Sequence, residues 1–430
     1  VAISSAYPPH PSGDGPRPPW WRRQWVRHGS LIALLALSGL VILALVRRQT
    51  GTEGFLVGLG LAVVPVPWLI AAFRWLDRVR PGPWRNLLFA FAWGACAAAL
   101  IAIVANSFAT HWIATTTANP SSADTLGATV IAPVVEESAK AAAVLLVFVF
   151  RRRDFTGPVG GAALAGVTAT GFAFTENILY LGNAFGTDQS IGTSGLVSVT
   201  AATFFVRAVM SPFAHPLFTV CTGIGFGLAA LPGRRRRPVL RLLFPVGGLL
   251  LAMSLHALWN GSAAFGQFGF LVVYGGFMAP AFGLLAWLLI RTRQRELRVA
   301  REELPVYVYA GWLGPAEPFA LGSLRARRLA RDHARRCFGG RPAARAVVRY
   351  ESDATELALL RHRARAGRVG TEFAAREREL LAALWQRRDS SRPALEYAAR
   401  ATAPPPSPVT YWQRYGHPTP PYAGYNPYRT

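Results

Sequence analysis

Residues 239–262 read VLRLLFPVGGLLLAMSLHALWNGS. One arginine stands near the start, and after it only small polar residues, His256 and Asn260 interrupt an apolar run. At 1.5 Å per residue such a helix spans roughly 36 Å, enough for the ~30 Å hydrocarbon core of a bilayer. The stretch therefore reads as a transmembrane helix. Seven more stretches of the same kind flank it, at 31–46, 54–73, 87–105, 127–150, 158–182, 204–231 and 268–290. The first reads as a retained span and not a cleaved signal, because Ala44-Leu45-Val46 runs straight into Arg47-Arg48 without a small-x-small site.

Composition agrees. Of 430 residues 52% are apolar and only 16% charged, against roughly a quarter charged in soluble domains. Disorder throughout is excluded, and so is a disulfide-stapled fold, since Cys96, Cys221 and Cys337 lie far apart with no CxxC. The net charge of +24 invites a nucleic-acid reading. The arginines, however, cluster beside apolar blocks: Arg22, Arg23 and Arg27; Arg74, Arg78, Arg80 and Arg85; Arg151–Arg153; Arg234–Arg237; Arg291, Arg293 and Arg295. The alternate connections near 106–126, 183–195 and 263–267 carry no Lys or Arg, and only Arg47 and Arg48 break the pattern. This is the positive-inside distribution of a multi-pass cell-membrane protein with both termini cytoplasmic. Anionic lipids at the cytoplasmic face are the expected partners of these arginines, and no nucleic acid is expected.

The fold class is thus all-α: a polytopic membrane helix bundle of about eight transmembrane helices with a cytoplasmic helical and disordered tail. Residues 1–30 read as a Pro-rich disordered arm and 31–290 as the membrane domain. Residues 291–400 read as an Arg-rich helical region, with helical periodicity at Leu357, Leu360 and Glu372–Leu384, and 401–430 as a Pro- and Tyr-rich disordered tail.

Ionisable groups inside hydrocarbon are costly and are functional candidates by default. Within the spans they are Glu136, Glu137 and Lys140, then Glu176, His215 and His256, with Asn177 and Asn260 beside them. Counted from the cytoplasmic end of each span, Glu136 and Glu137 lie ~20 Å deep, Glu176 ~27 Å, His215 ~24 Å and His256 ~25 Å. Scattered structural polar residues would have no reason to share one level. Taken singly, an intramembrane histidine is usually a hydrogen-bonded packing residue, and Glu136–Lys140 reads as a structural ion pair. The shared depth on four spans argues for a common site. Glu136 and Lys140 share a helix face at i,i+4, as do His256 and Asn260. Lys140 is the only lysine among 46 basic residues, and an ammonium differs from a guanidinium in size and in how readily its charge state shifts.

Three ionised glutamates against one ammonium leave an excess of negative charge in a low-dielectric site. Either carboxyls are protonated or a divalent cation sits there. Two histidines plus carboxylates suit Zn²⁺ with an open water position, although there is no HExxH; a metal-free Glu/His mechanism is the alternative. Arg207, near the end of its span, reads as an interfacial anchor. Gly157–Gly161 and Gly223–Gly227 read as helix-packing notches, because no Walker lysine follows them.

Four motifs in order on successive spans carry a resemblance. Glu136-Glu137-Ser138-Ala139-Lys140 matches EExxK, Phe172-Ala173-Phe174-Thr175-Glu176-Asn177 matches FxxxE followed by Asn, His215 stands alone, and His256-Ala257-Leu258-Trp259-Asn260 matches HxxxN. Residues 31–290 resemble the PrsW family of intramembrane proteases, related to the CAAX prenyl endopeptidases and the bacteriocin-processing Abi proteins. The last motif is often HxxxD in that family, so Asn260 replaces a carboxylate.

The resemblance implies hydrolysis of a peptide bond in a single-span membrane protein, such as an anti-sigma factor, in regulated proteolysis. It implies Glu136 and Glu137 as base and partner, Lys140 setting their ionisation, Glu176, His215 and His256 holding a metal, and Asn260 contacting the oxyanion. The rival readings are a proton- or ion-coupled transporter, which an internal repeat would have supported, and a non-catalytic scaffold.

Overall fold

The computed structural model describes residues 24–117, 125–231, 238–367 and 373–403, all in helices and short connections with no strand among them. The expected arm before residue 24 and the tail after 403 lie outside the described residues. Residues 24–30, read as arm, already belong to the first helix. The chain divides into two units, one of 24–77 with 82–289, the other of 78–81 with the chain from residue 290 onward.

In the first unit the helices are α1 (Gln24–Val63), α2 (Val66–Leu76), α3 (Trp84–Ala92), α4 (Ala99–Thr117), α5 (Ala132–Phe150), α6 (Pro158–Ile191), α7 (Val199–Phe204), α8 (Ala214–Ala230), α9 (Pro238–Ser262), α10 (Gly266–Val273) and the start of α11 (Ala279–Glu303). Among the described residues four segments are long and apolar enough to cross a membrane: Gly29–Leu76, Trp84–Thr116, Val199–Ala230 and Pro238–Tyr309. Three of these are interrupted, Gly29–Leu76 by Gly51 at φ 73° inside α1, Val199–Ala230 by the turn at 211–213, and Pro238–Tyr309 by the Ala263–Phe265 turn after α9. The stretches expected at 127–150 and 158–182 are α5 and α6. The first carries three charged side chains, Glu136, Glu137 and Lys140, and the second is rich in Gly, Ala and Thr.

α6 is the central helix. Val159 and Gly161–Ala173 are buried without a break, so no face of this segment is left open. Small residues permit that, because in a lipid environment helices associate by close backbone approach. A Cβ on Gly161 would lie 2.1 Å from the Gly223 carbonyl oxygen of α8, and one on Gly223 would lie 2.3 Å from that of Gly161. Gly94 and Gly58 make similar approaches to the carbonyls of Thr168 and Ile178 on α6. The expected glycine notches are thus helix contacts. Gly161→Val should cost at least ~3 kcal/mol, the upper range for overpacking, because backbone and not a flexible side chain stands in the way. A lowered thermal midpoint of the purified protein would show it.

Several helices contain a wider turn with i→i+5 hydrogen bonds, at Trp93–Ala98, Gly127–Ile131, Phe205–Met210 and Tyr274–Met278. Such bulges recur at functional sites. Carbonyls in these turns accept from side chains of other helices. Ala95 O takes the Thr175 hydroxyl at 2.7 Å, Ala128 O the Asn260 amide at 2.9 Å, and Met210 O the Tyr274 hydroxyl at 2.7 Å. Thr175, Asn260 and their neighbours are thereby held in register around one interior space.

The second unit contains the remainder of α11, then α12 (Pro305–Tyr309), α13 (Glu317–Leu321), α14 (Leu324–Cys337), α15 (Gly340–Arg365) and α16 (Phe373–Thr402). It has its own apolar core, in which Leu357 and Leu360 of α15 meet Leu380 and Leu384 of α16, as their periodicity requires. A fully buried Arg327 donates to Leu321 O, Val79 O and Thr355 Oγ1 at 2.7–2.8 Å, and burial pushes its guanidinium down to about 10.

Candidate active site

α5 begins after the wide Gly127–Ile131 turn, with Pro133 in its first turn, where a missing N–H costs nothing. From there Glu136, Glu137 and Lys140 all point into the bundle and are buried. α6 brings Phe172, Glu176 and Asn177, the Phe205–Met210 turn brings Arg207, α8 brings His215 and Thr219, and α9 brings His256 and Asn260.

The ammonium of Lys140 is the centre of this cluster. It donates to Glu137 Oε1 at 2.9 Å, to Glu136 Oε2 at 3.3 Å and to His215 Nδ1 at 3.2 Å, and lies 3.8 Å above the Phe172 ring. A lysine here faces three acceptors arranged around a point, which suits a compact ammonium better than a planar fork.

Glu136 and Glu137 have separate environments. Glu137 is fully buried; its Oε1 also accepts from His256 Nδ1 at 3.1 Å, and its Oε2 accepts from the Thr219 hydroxyl at 2.8 Å. Since an ionised carboxylate only accepts, His256 presents its Nδ1–H to Glu137, which in the neutral ring leaves the lone pair on Nε2. That nitrogen lies 3.8 Å from Glu136 Oε2. A carboxylate behind one imidazole nitrogen, with the other nitrogen left as a base, is the arrangement that orients metal-bound histidines. Glu136 has only longer contacts, its Oε1 receiving the Asn106 amide at 3.5 Å.

His215 is held from both sides. Its Nε2–H donates to Glu176 Oε2 at 2.6 Å, and its Nδ1 accepts from Lys140. Glu176 Oε2 also takes Arg207 Nη2 at 2.5 Å, while Arg207 Nε donates to Asn177 Oδ1 at 2.7 Å and the guanidinium lies 3.9 Å from the Tyr180 ring centre. Arg207 is therefore no interfacial anchor. It turns inward because the wide turn on which it sits shifts its direction toward α6, where a carboxylate and an amide oxygen await it.

A cavity of about 520 Å³ opens onto this cluster, with Glu136, Glu176, His215, Asn177, Asn260 and Arg207 on its wall. Glu137, Lys140 and His256 lie behind that wall. Asn260 shares the cavity, but its amide is hydrogen-bonded to Ala128 O and not to the ionisable groups.

Two residues of the site were not legible in the motifs. Thr219 lies one turn after His215, and a threonine on a buried helix face had no mark to distinguish it. Asn106 falls in a stretch read as a connection, whereas α4 continues through it to Thr117. Asn106 also lines the cavity, and its buried Oδ1 has no hydrogen-bond partner.

Glu136, His215 and His256 each offer one ligand atom, and these atoms all lie within 4.8 Å of one another. The grouping differs from the expected set in one member: Glu136 stands with the two histidines, while Glu176 is engaged by Arg207 and His215. The charge balance shifts as well. With Arg207 inside, three carboxylates face two cations, Lys140 and Arg207, leaving one excess negative charge. Two imidazoles, one carboxylate and a net negative charge in a low-dielectric site fit a divalent metal.

No curated protein and no solved structure shows a match to the chain. Residues 82–286 match the PrsW family intramembrane metalloprotease model. That segment contains each helix and every side chain of the cluster just described, and over it the chain is similar to the PrsW family of intramembrane metalloproteases, which are hydrolases of peptide bonds.

Proposed function

We propose that the protein cuts a peptide bond of a single-span membrane protein, of the anti-sigma-factor kind, in regulated proteolysis. The observation that carries this reading is the convergence of Glu136, His215 and His256, whose ligand atoms lie within 4.8 Å of one another with Glu136 and His215 on the cavity wall and His256 behind it, each backed by a charged partner. Glu136, His215 and His256 would hold the metal, with Zn²⁺ the ion that this donor set suits. When bound, the ion supplies Lewis-acid activation of water and of the scissile carbonyl.

The remaining steps belong to the chain. Glu136 has the least-encumbered carboxylate of the site, so its Oε1, on the Asn106 side, takes the proton of the attacking water. Glu137 keeps the proton of His256 on Nδ1 and the ring in place, and Thr219 and Lys140 fix Glu137 in turn. Glu176 does the same for His215. The Asn260 amide, on the same wall, is the donor for the oxyanion once it exchanges Ala128 O for the reacting carbonyl.

The eight-span reading with both termini cytoplasmic is part of this proposal. It places the site ~20–27 Å above the cytoplasmic boundary of a ~30 Å core, closer to the outer face. The cut is therefore expected in the outer half of the substrate's span. The arginines of the second unit would meet anionic headgroups.

The test is metal analysis of purified protein together with cleavage of synthetic single-span peptides in nanodiscs, followed by terminal sequencing of both fragments. Bound divalent metal and an outer-half cut are expected. Cleavage on the cytoplasmic side of the span midpoint would refute the depth argument or the topology.

A further inference from the structure

Arg207 has a role that neutralising Glu176 does not exhaust. It is the only Lys or Arg on the cavity wall among the described residues. One edge of its guanidinium is fixed, Nε by Asn177 and Nη2 by Glu176, and one face is covered by Tyr180. Among the described residues Nη1 has no hydrogen-bond partner, and the side chain is 21% exposed. A rotatable cation has here become a fixed donor whose remaining edge is free at the cavity.

A peptide bond can be attacked only where the substrate helix is unwound, and unwinding strands main-chain carbonyls. In a lipid environment each unsatisfied polar group costs several kcal/mol. A prepositioned guanidinium edge meets that need without reorganising, and hydrogen bonds from a charged donor are roughly twice as strong as neutral ones. The Glu176 carboxylate separates this edge from His215, so it addresses a carbonyl next to the reacting one.

We propose that Arg207 is a substrate-binding residue, its free Nη1 edge donating to a main-chain carbonyl of the unwound peptide beside the scissile bond. The proposal rests on the peptidase reading above. It concerns binding shared by ground state and transition state, and such binding appears in KM and not in kcat.

The probe is a single-span peptide that the wild-type protein cleaves in nanodiscs, prepared as a series with one thioamide at each position within three residues of the cut. Sulfur accepts hydrogen bonds poorly, so one non-scissile position should raise the wild-type KM about tenfold, equivalent to ~1.4 kcal/mol. Arg207→Lys keeps the charge beside Glu176 but loses the fork. It should raise KM for the all-oxygen peptide by a similar factor, leave kcat within about threefold and leave metal content unchanged, and it should no longer discriminate against the thioamide.

The thioamide series on wild type stands even where Arg207→Lys does not fold. A flat series refutes the contact, and so does a fall in kcat and metal content with KM unchanged, which is what a residue that only holds Glu176 would give. Failure of the wild type to cleave any single-span peptide would instead count against the peptidase reading.

Discussion

Glu136→Gln is expected to reduce cleavage about 10³- to 10⁴-fold, the upper range for loss of a general base, and to lower bound metal, because Glu136 is also one of the three proposed ligands. Glutamine keeps the shape of the side chain and can still receive the Lys140 ammonium, but it cannot take a proton from water. The neighbouring Glu137→Gln supplies the contrast. Glu137 is fully buried behind the cavity wall and accepts from Lys140, His256 and Thr219, and a glutamine there retains part of that network. Loss of a carboxylate behind a metal-bound histidine typically costs 10–100-fold. Cleavage rates of the two variants, each checked for monodispersity, decide the matter. Equal losses would mean that the two glutamates do not divide as the geometry divides them.

His256→Ala should bring activity to background and lower bound metal below that of the wild type. His256 is 1% exposed, it lies between Glu137 and Glu136, and its Nε2 has no other task. Removing the ring takes away a ligand and also leaves Glu137 with one partner fewer. Metal stoichiometry measured on the folded variant separates the two consequences. A variant that kept full metal and full activity would exclude His256 from the site, whereas loss of folded protein in every substitution at 256 would make it a packing residue. Glu176→Ala is the parallel case on the His215 side, and its effect should also be loss of cleavage, since Glu176 holds both His215 and Arg207.

What could be read from the chain alone was set by periodicity and by cost. Long apolar runs have few structural solutions in a bilayer, so helices were dictated residue by residue. Carboxylates and imidazoles in those runs are too costly to be incidental, and the common depth of Glu136, Glu176, His215 and His256 placed them on one level before any fold was in hand. The i,i+4 spacing of Glu136 and Lys140 gave their contact directly, because helix geometry is local.

The division of labour within the level was not local. Glu136 and Glu137 are adjacent on one helix and point about 100° apart, which follows from 3.6 residues per turn. Only the placement of α8 and α9 decided that Glu137 meets Thr219 and His256 while Glu136 faces the cavity. Arg207 looked like an interfacial anchor because its wide turn, which swings the guanidinium onto Glu176 and Asn177, depends on the fit of that segment against α6. Asn106 looked like loop because α4 continues beyond its apolar run. Helix existence and depth are properties of the chain taken one segment at a time, whereas which side chain meets which depends on helix rotation, and rotation is set by close contacts such as Gly161 on Gly223 between segments far apart in sequence.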